Sequence, residues 1–384
     1  MSGDTVKIGI VTAEESGDLL AAEFIKALSL SSKKVQICGL VGEKLGHMIN
    51  ESPTEVDRSV FNVMGLIDPF LNLQKILGER KKLLDYFLKQ NIDIFIGVDS
   101  PDLNLYFHKK LKNKQDVINI QLVSPSVWGW RPKRINLLKK YVDLTLCLFK
   151  FEHQHLQQNA VNSLHLGHPF SKIRQKNDQK NIIHSHNLPI DKTFVSVLVG
   201  SRDSEIRYML DTYILSIKEI NKNFQNNFYL FPTSNERHEK LINQFLLSNN
   251  INGIAKSGAS SDFLQLSEIS IVTSGTATLE AVCNDSVPII CYKTGAINYF
   301  ILSKLVVSQY IGIPNLILNK NVFPELIQND FNHKSVLSHF KKITLDKNTY
   351  KSKLFDVKEL IKGMGFAKVT ADVLRLYENK RGSR

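Results

Sequence analysis

Short, uninterrupted apolar runs recur along the chain, and segments with helical spacing of apolar residues separate them. A strand buried on both faces of a parallel sheet is apolar throughout, whereas a half-exposed strand alternates. The pattern therefore predicts strands linked by helices, as in a doubly wound α/β fold. The predicted strands are Val6–Val11, Val35–Val41, Asp93–Val98, Val117–Val123 and Asp143–Leu148 in the first half, and Phe194–Val199, Phe228–Phe231, Ile269–Thr273 and Val287–Cys291 in the second.

The strand runs fall into two groups, which predicts two domains. A polar, charged stretch without periodicity lies between them at residues 171–187, where we expect a linker. We expect an N-terminal Rossmann-like domain over residues 1–170 and a C-terminal one over residues 188–365. Residues 366–384 carry an apolar stripe typical of a terminal helix, which could pack back on the N-terminal domain. Two such domains place a ligand in the interdomain cleft.

Composition narrows the class of protein. The 384 residues include 49 Lys or Arg and 37 Asp or Glu, a net charge of +12. This charge favours an anionic partner, either nucleic acid, a phosphate-bearing substrate or an anionic membrane, and the alternative is a lysine-rich composition without such a partner. No zinc-finger spacing, RNP-type motif or basic helix followed by heptads is present, so we expect no nucleic-acid partner. The scattered cysteines and the lack of a long apolar run predict a cytoplasmic location and no metal.

The turns of the second half carry the signature of an anion site. Ser274-Gly-Thr-Ala-Thr-Leu-Glu280 follows a predicted strand and leads into a helix-like segment. Small residues let a ligand approach the backbone, and the free N–H groups of a helix start attract an anion. Glu280 could accept hydrogen bonds from sugar hydroxyls, and the alternative is a capped helix with a solvated acid. The turn Val199-Gly-Ser-Arg202 adds a guanidinium that could hold a diphosphate without a metal.

The turns of the first half carry acids and aromatic rings. Asp99 and Asp102 follow the third predicted strand, where one could act as a general base, and a capping role is the alternative. The turn at residues 12–18 has a single glycine and is not a dinucleotide fingerprint, which argues against a nicotinamide cofactor. Both tryptophans lie in Ser124-Pro-Ser-Val-Trp-Gly-Trp-Arg131, before a basic cluster. This suits a phosphate-bearing ligand or a membrane interface, and two core tryptophans are the alternative.

In this order the motifs resemble those of the lipid-A-disaccharide synthases, inverting glycosyltransferases of Gram-negative bacteria. The resemblance runs from the first strand past residue 328, with departures from the usual family residues at Ala13, Glu15, Val199 and 43–48. The matching stretches are Glu14-Glu-Ser-Gly-Asp18, Val63-Met-Gly65, Asp99-Ser-Pro-Asp-Leu-Asn104, Val123-Ser-Pro-Ser-Val-Trp-Gly-Trp-Arg131, Gly167-His-Pro169, Gly200-Ser-Arg202, Ser274-Gly-Thr-Ala-Thr-Leu-Glu280, Tyr292-Lys293, Pro314-Asn-Leu316 and Pro324-Glu-Leu-Ile-Gln328.

The resemblance implies a GT-B fold, with two Rossmann-like domains and a cleft between them. It also implies that UDP-2,3-diacylglucosamine donates its glucosamine to the 6-hydroxyl of 2,3-diacylglucosamine 1-phosphate (lipid X), which gives a β-1′,6 disaccharide and UDP. No cofactor is implied, and a homodimer stays open. The rival readings are another GT-B enzyme, such as a UDP-N-acetylglucosamine epimerase or a MurG-type transferase, and a non-enzymatic nucleic-acid binder.

The matched motifs imply a role for each site residue. Asp99 is expected to take the proton of the acceptor hydroxyl, and Arg202 to hold the leaving diphosphate. The residues expected to contact the donor are Gly200, Ser201, Arg202, Ser274, Gly275, Thr276, Glu280, Asn315, Glu325 and Gln328, with Glu280 and Glu325 as rivals for the ribose. Those expected to contact the acceptor are Glu14, Ser16, Gly17, Asp18, Met64, Asp102, Ser126, Trp128 and Arg131.

An apolar segment followed by basic residues predicts a membrane contact. Phe61–Leu77 is mostly apolar and precedes Arg80, Lys81 and Lys82. Acyl chains leave a bilayer at a cost of about 0.8 kcal/mol per CH₂, and each well-placed basic residue adds about 1 kcal/mol of attraction to an anionic surface. We therefore expect peripheral association with the anionic inner membrane, and a core helix with a basic outer face is the alternative.

Overall fold

The computed structural model describes residues 5–31, 33–61, 73–172, 178–295, 299 and 308–382. The chain forms two compact units, of which the first combines Met1–Pro169 with Lys362–Arg384 and the second spans Phe170–Ile361. Each unit is built around one six-stranded sheet, and every described strand pair in both sheets is parallel. Over the described residues, no helix combines the length and the apolar character needed to cross a membrane.

The sheet of the first unit has the strand order β2-β1-β3-β4-β5-β6. Because the order reverses between β1 and β3, the turns that follow these strands lie side by side at the carboxyl edge, where such sheets bind ligands. The strands are β1 (Val6–Thr12), β2 (Val35–Leu40), β3 (Ile94–Val98), β4 (Ile118–Leu122), β5 (Leu144–Cys147) and β6 (Ser163–His165). The helices are α1 (Glu15–Ser29), α2 (Glu43–Gly46), α3 (Leu73–Gln90), α4 (Pro101–Lys114), α5 (Ile135–Tyr141), α6 (Lys150–Gln158) and, from the end of the chain, α15 (Phe366–Gly382).

Helices cover both faces of this sheet. Alternate residues of a strand point to opposite faces, so Ile94 and Ile96 of β3 join one apolar core and Phe95 joins the other. The first core lies under α1 and α15, and the second lies under α3 and α4. Each large side chain buried in this way contributes about 1.5–3 kcal/mol, which explains why the strands are apolar throughout. The predicted doubly wound α/β class is confirmed.

The sheet of the second unit has the strand order β12-β11-β10-β7-β8-β9, which reverses between β7 and β10. The strands are β7 (Thr193–Leu198), β8 (Asn227–Thr233), β9 (Gly253–Ser257), β10 (Ile269–Thr273), β11 (Val287–Tyr292) and β12 (Glu325–Ile327). The helices are α7 (Gln179–Ser185), α8 (Asp203–Asn221), α9 (Glu236–Ser248), α10 (Ser260–Leu266), α11 (Thr276–Cys283), α12 (Ile313–Leu318), α13 (His333–Leu345) and α14 (Lys347–Leu360).

Each predicted strand is present, with its ends shifted by at most a few residues, and three short edge strands, β6, β9 and β12, were not predicted. The stretch expected to be a linker at 171–187 contains the helix α7, because Ile182 is buried and Ile183 packs beside the core around Phe263. Residues 173–177 of that stretch lie outside the described residues. The terminal helix α15 contributes Val369 and Val373 to the core under α1.

Candidate active site

A cavity of about 450 Å³ opens at the carboxyl edge of the second sheet. It lies where the strand order reverses, between the neighbouring strands β7 and β10, which is the usual ligand position in an open parallel sheet. The turns that follow these two strands form its walls. The predicted donor residues that line it are Gly200, Ser201, Arg202, Ser274, Gly275, Thr276 and Glu280.

Glu205 fixes the turn that leads from β7 into α8. Its Oε2 accepts the N–H groups of Ser201 at 2.9 Å and Arg202 at 3.3 Å. Gly200 has a φ of +118°, and a Cβ there would lie 2.5 Å from Glu205 Oε2, so this position requires glycine. These hydrogen bonds hold the turn in a conformation in which the Arg202 side chain is 59% exposed and lines the cavity.

Gly275 opens the turn between β10 and α11 to a ligand. Its φ of +152° lies in the region that favours glycine, and no atom lies within 4 Å of the position that a Cβ would take. Gly275 and Thr276 are exposed at the start of α11, where the first N–H groups carry a partial positive charge. Glu280 is half-buried one turn further along. These groups can bind a diphosphate at the helix start and a sugar hydroxyl at Glu280.

Asn315 and Glu325 were expected to contact the donor, but in the structure their side chains form hydrogen bonds with other residues of the second unit. Asn315 is fully buried, donates to Phe323 O and to Glu325 Oε1 at 2.8 Å each, and accepts the Phe323 N–H at 2.9 Å. The two carboxylate oxygens of Glu325 accept the N–H groups of Ile311 and Gly312 at 2.9 and 3.0 Å. In this structure the polar groups of both side chains are paired with the segments 311–312 and 323. Both side chains therefore stabilise the packing of these segments, and neither lines the cavity.

Gln328 also bonds to the backbone. It accepts the Thr294 N–H at 2.8 Å and donates to Thr294 O at 3.0 Å, which fixes the chain just after β11. The Ser274 hydroxyl donates to Ile311 O at 2.8 Å, so the segment that Glu325 holds is bonded to a residue that lines the cavity. Glu280 and Glu325 were the two candidates for contact with a ribose. Glu280 lines the cavity, whereas Glu325 binds the backbone at Ile311.

Asp99 lies at the carboxyl edge of the first sheet, directly after β3, in a strained backbone conformation. Asp99 and Ser100 have φ values of +48° and +37°, which for residues other than glycine costs roughly 1–3 kcal/mol each. The Asp99 carbonyl accepts the side-chain amides of Asn104 at 2.7 Å and Gln121 at 3.1 Å, and both of these residues are fully buried. Sequence reasoning missed both amides, whose partner is a backbone atom of a strained turn.

The environment of Asp99 favours its protonated form more than water does. Burial raises the pKa of the Asp99 carboxyl above its usual range, and the Ser100 N–H opposes part of this rise. Gly17 lies beside it, since a Cβ at Gly17 would be 3.4 Å from Val98 Cγ1 and 4.0 Å from Asp99 Cβ. The start of α1 and the turn after β3 therefore meet at a carboxylate that is a stronger base than a solvated aspartate.

Asp18 holds the turn after β1 from inside. It is 1% exposed and accepts the Thr12 hydroxyl at 2.9 Å and the Gly42 N–H at 2.7 Å. Asp18 was expected to contact the acceptor, but in this structure its carboxylate ties α1 to the start of α2. The other predicted acceptor residues at the start of α1 are Glu14, which is half-buried, Ser16, which is exposed, and Gly17, which is buried.

Asp102 is surrounded by arginines. Its Oδ1 lies 3.1 Å from Arg131 Nη1 and also contacts Arg134 Nη2. Arg80 Nη2 donates to the Asp102 carbonyl at 3.0 Å. Of these three arginines, the sequence predicted an acceptor contact only for Arg131; it assigned Arg80 to the basic end of the membrane-contact segment and Arg134 to the basic cluster after the tryptophan motif, because their approach to Asp102 depends on the fold. Three guanidinium groups beside one carboxylate leave an excess of positive charge that suits an anionic group of a ligand.

Trp128 is half-buried and packs edge-on against Phe151, with 5.0 Å between the ring centroids, whereas Ser126 of the same motif is exposed. Met64 and most of the apolar segment Phe61–Leu77 fall in residues 62–72, outside the described residues. Within the ranges that the structure describes, no three His, Cys, Asp or Glu side chains come together as metal ligands would.

Comparison with known proteins identifies the family. The family model of lipid-A-disaccharide synthetase matches residues 8–372. The lipid-A-disaccharide synthase of Histophilus somni (strain 2336) is 32% identical over 328 residues, which cover 85% of this chain and 84% of that protein. That of Wigglesworthia glossinidia brevipalpis is 34% identical over 352 residues, which cover 90% of each chain. This chain belongs to the lipid-A-disaccharide synthase family.

Family membership makes the chain a glycosyltransferase that forms the lipid A disaccharide in lipid A biosynthesis, and it confirms the resemblance drawn from the motifs. The solved UDP-GlcNAc 2-epimerase of Neisseria meningitidis has a TM-score of 0.58 over 97% of this chain and 99% of that one, at 13% identity. At this identity the likeness shows the fold alone, which is GT-B. The family match therefore decides against another GT-B enzyme.

Proposed function

We propose that the chain transfers the glucosamine of UDP-2,3-diacylglucosamine to the 6-hydroxyl of lipid X, with inversion and without a metal ion. The acceptor oxygen forms a bond to C1′ of the donor while the bond from C1′ to the UDP oxygen breaks. The hydroxyl proton goes to Asp99, and one displacement gives the β-1′,6 disaccharide and UDP. The observation that carries the proposal is the half-buried Asp99 carboxyl with its raised pKa, at the edge of the sheet where ligands bind.

The second unit binds the donor in the cavity between β7 and β10. The starts of α8 and α11 and the Arg202 guanidinium neutralise the diphosphate as it leaves, which is the task that a metal performs elsewhere. Glu280 accepts hydrogen bonds from the ribose hydroxyls. The epimerase compared above is bound to UDP-GlcNAc, which supports a UDP-sugar as the ligand of this fold.

The first unit binds the acceptor at the carboxyl edge of its sheet. Ser16 and Gly17 lie in the first turn of α1, where Gly17 is beside Asp99, and the arginines around Asp102 offer charge-assisted hydrogen bonds to the 1-phosphate of lipid X. No cofactor takes part in this reaction. The assignment of acceptor and donor to the two units is part of the proposal.

We also propose that the enzyme works in the cytoplasm as a peripheral protein of the anionic inner membrane. The helix α5 and the turn before it carry the exposed side chains of Lys133, Leu137, Lys139 and Lys140. Basic residues beside apolar ones favour an anionic lipid surface, and both substrates are acylated. A homodimer stays a prediction.

Incubation of the full chain with UDP-2,3-diacylglucosamine and lipid X in detergent micelles tests the reaction. We expect UDP release that depends on lipid X, a disaccharide 1-phosphate by mass spectrometry, and a β anomeric coupling by NMR. The rate should not change with a metal chelator, because Arg202 and the helix starts hold the diphosphate. An α product would contradict the single displacement, and conversion of UDP-GlcNAc to its 2-epimer would favour the epimerase reading.

A further inference from the structure

A buried acid, Glu152, lies in the first unit and has no part in the mechanism proposed above. It is 4% exposed and belongs to the first turn of α6, which begins shortly after β5. Its Oε2 accepts the Phe149 N–H at 3.2 Å. An ionised carboxylate so far from water is costly, so this position favours the neutral acid.

The hydrogen bonds between neighbouring strands bring Glu152 and Asp99 to the same edge of the sheet. The strands β3, β4 and β5 are neighbours, and Asp99, Trp128 and Glu152 each follow one of them. The Asp99 N–H donates to Leu122 O at 2.8 Å, at the end of β4. The turn after β4 is likewise hydrogen-bonded to the end of β5. The Trp128 ring packs on Phe151, the residue before Glu152.

The two acids interact electrostatically. Burial is the main cause that raises the pKa of Glu152 to about 8, and the negative charge of Asp99 raises it further. The Phe149 N–H, which donates to Glu152, opposes part of this rise. Two acids that share a poorly solvated site lose their protons one after the other. Glu152 therefore keeps its proton at neutral pH, whereas the proposed function requires an ionised Asp99 to act as the base.

We propose that Glu152 is a positioning residue for Asp99, the neutral member of a carboxyl pair in which Asp99 is the charged member. The inference rests on the proposed function, in which Asp99 takes the acceptor proton. A neutral Glu152 keeps a second negative charge away from the site that must admit a phosphate-bearing acceptor. When Glu152 loses its proton, like charges meet in a buried site, and the Asp99 turn and the acceptor are both disfavoured.

The other titratable groups around Glu152 do not change charge near pH 8. Burial raises the pKa of the Cys147 thiol, on β5, well above its usual value. His168, whose ring stacks on Phe149 at 5.5 Å, has its pKa lowered to about 4 by burial. Burial also lowers the pKa of His153 on α6 and of His165 on β6. A transition near pH 8 therefore reports Glu152.

The fluorescence of Trp128 tests the pair without turnover. The chain has two tryptophans, so Trp130→Phe leaves Trp128 as the single reporter. We expect a pH titration of this variant to show a transition with a midpoint of about 8. Glu152→Gln should remove the transition. Asp99→Asn should lower its midpoint, because the amide carries no charge to hold the Glu152 proton. Glu79→Gln is the matched control, since Glu79 is 7% exposed and pairs with Lys82 at 2.8 Å, and it should leave the midpoint unchanged.

The pH dependence of kcat/KM tests the role. In the parent enzyme we expect kcat/KM to fall as the pH rises through about 8, and in Glu152→Gln we expect near-parental activity at neutral pH without that fall. The same alkaline fall in Glu152→Gln, or a Trp128 midpoint that does not move in Asp99→Asn, would overturn the inference. If Glu152→Gln does not fold, the midpoint of the Trp128 fluorescence transition in Asp99→Asn still tests whether the two acids interact. An active Asp99→Asn enzyme would instead overturn the proposed function, so the two failures are distinguishable.

Discussion

The Asn315 side-chain amide donates a hydrogen bond to Glu325 Oε1 at 2.8 Å, inside the second unit. Glu325 also accepts the Ile311 N–H, and Ile311 O accepts the Ser274 hydroxyl, so this pair connects β12 to the turn that lines the cavity. Both residues belong to motifs that the resemblance associates with the donor, and in the proposed function they support the donor site through the backbone that they hold.

Asn315→Ala should therefore destabilise the protein strongly. The substitution leaves the buried N–H and the carbonyl of Phe323 without this partner and removes one of the two donors to Glu325 Oε1, and each unpaired buried group costs roughly 1–3 kcal/mol. We expect the free energy of unfolding, measured with urea, to fall by about 3 kcal/mol or more. Asn252→Ala, at an exposed position away from this network, is the control and should change it by less than about 0.5 kcal/mol. If Asn315→Ala lowered the free energy of unfolding as little as the control does, the hydrogen bonds of Asn315 would not stabilise the protein as we infer.

The fold was more predictable from the sequence than the site was. Strands buried on both faces are apolar throughout, so the central strands of both sheets could be predicted. The missed strands β6, β9 and β12 lie at sheet edges, where a strand pairs on one side and needs few apolar residues. Asn315 and Gln328 were recognised as motif residues, but their actual partners depend on how distant segments meet. Gln328 bonds to Thr294, 34 residues away.

Gly200→Ala should disrupt the donor turn. The new Cβ would lie 2.5 Å from Glu205 Oε2, and the φ of +118° disfavours any side chain. We expect UDP affinity, measured by calorimetry, to fall at least tenfold. Gly258→Ala is the matched control, because Gly258 also has a positive φ, +74°, but has no atom within 4 Å of its Cβ position. Equal effects of the two variants would show that backbone strain, and not the Glu205 contact, controls the turn.

Arg202→Ala should weaken UDP and donor binding more than lipid X binding. A charge-assisted hydrogen bond contributes about 1.5–3 kcal/mol, so we expect UDP affinity to fall by about 10- to 100-fold. Arg237→Ala removes the same charge from a side chain that is 79% exposed and pairs with Asp203 at 3.0 Å, and it serves as the control. UDP affinity unchanged by Arg202→Ala would remove Arg202 from the diphosphate site.

Charge reversal of Lys133, Lys139 and Lys140 to Glu should release the protein from anionic vesicles. All three side chains are exposed on one short segment, and their attraction to the surface is screened beyond about 10 Å at 0.1 M salt. Sedimentation with vesicles across a salt series measures this, and neutral vesicles should bind weakly. Reversal of Lys218, Lys222 and Lys240, exposed in the second unit, changes the net charge equally and should have little effect. Binding that is independent of salt and lipid charge would refute the membrane proposal.

The turnover of Asp99→Asn tests the central claim most directly. The amide keeps the size of the side chain but cannot take the acceptor proton, and general base catalysis contributes about 10²–10⁴-fold to a rate. We predict a loss of kcat in that range, with UDP affinity and the urea midpoint unchanged. Asp85→Asn, at an exposed side chain of α3 outside the proposed site, is the matched control and should keep most of the activity. Turnover of Asp99→Asn within a few-fold of the parent would contradict the account.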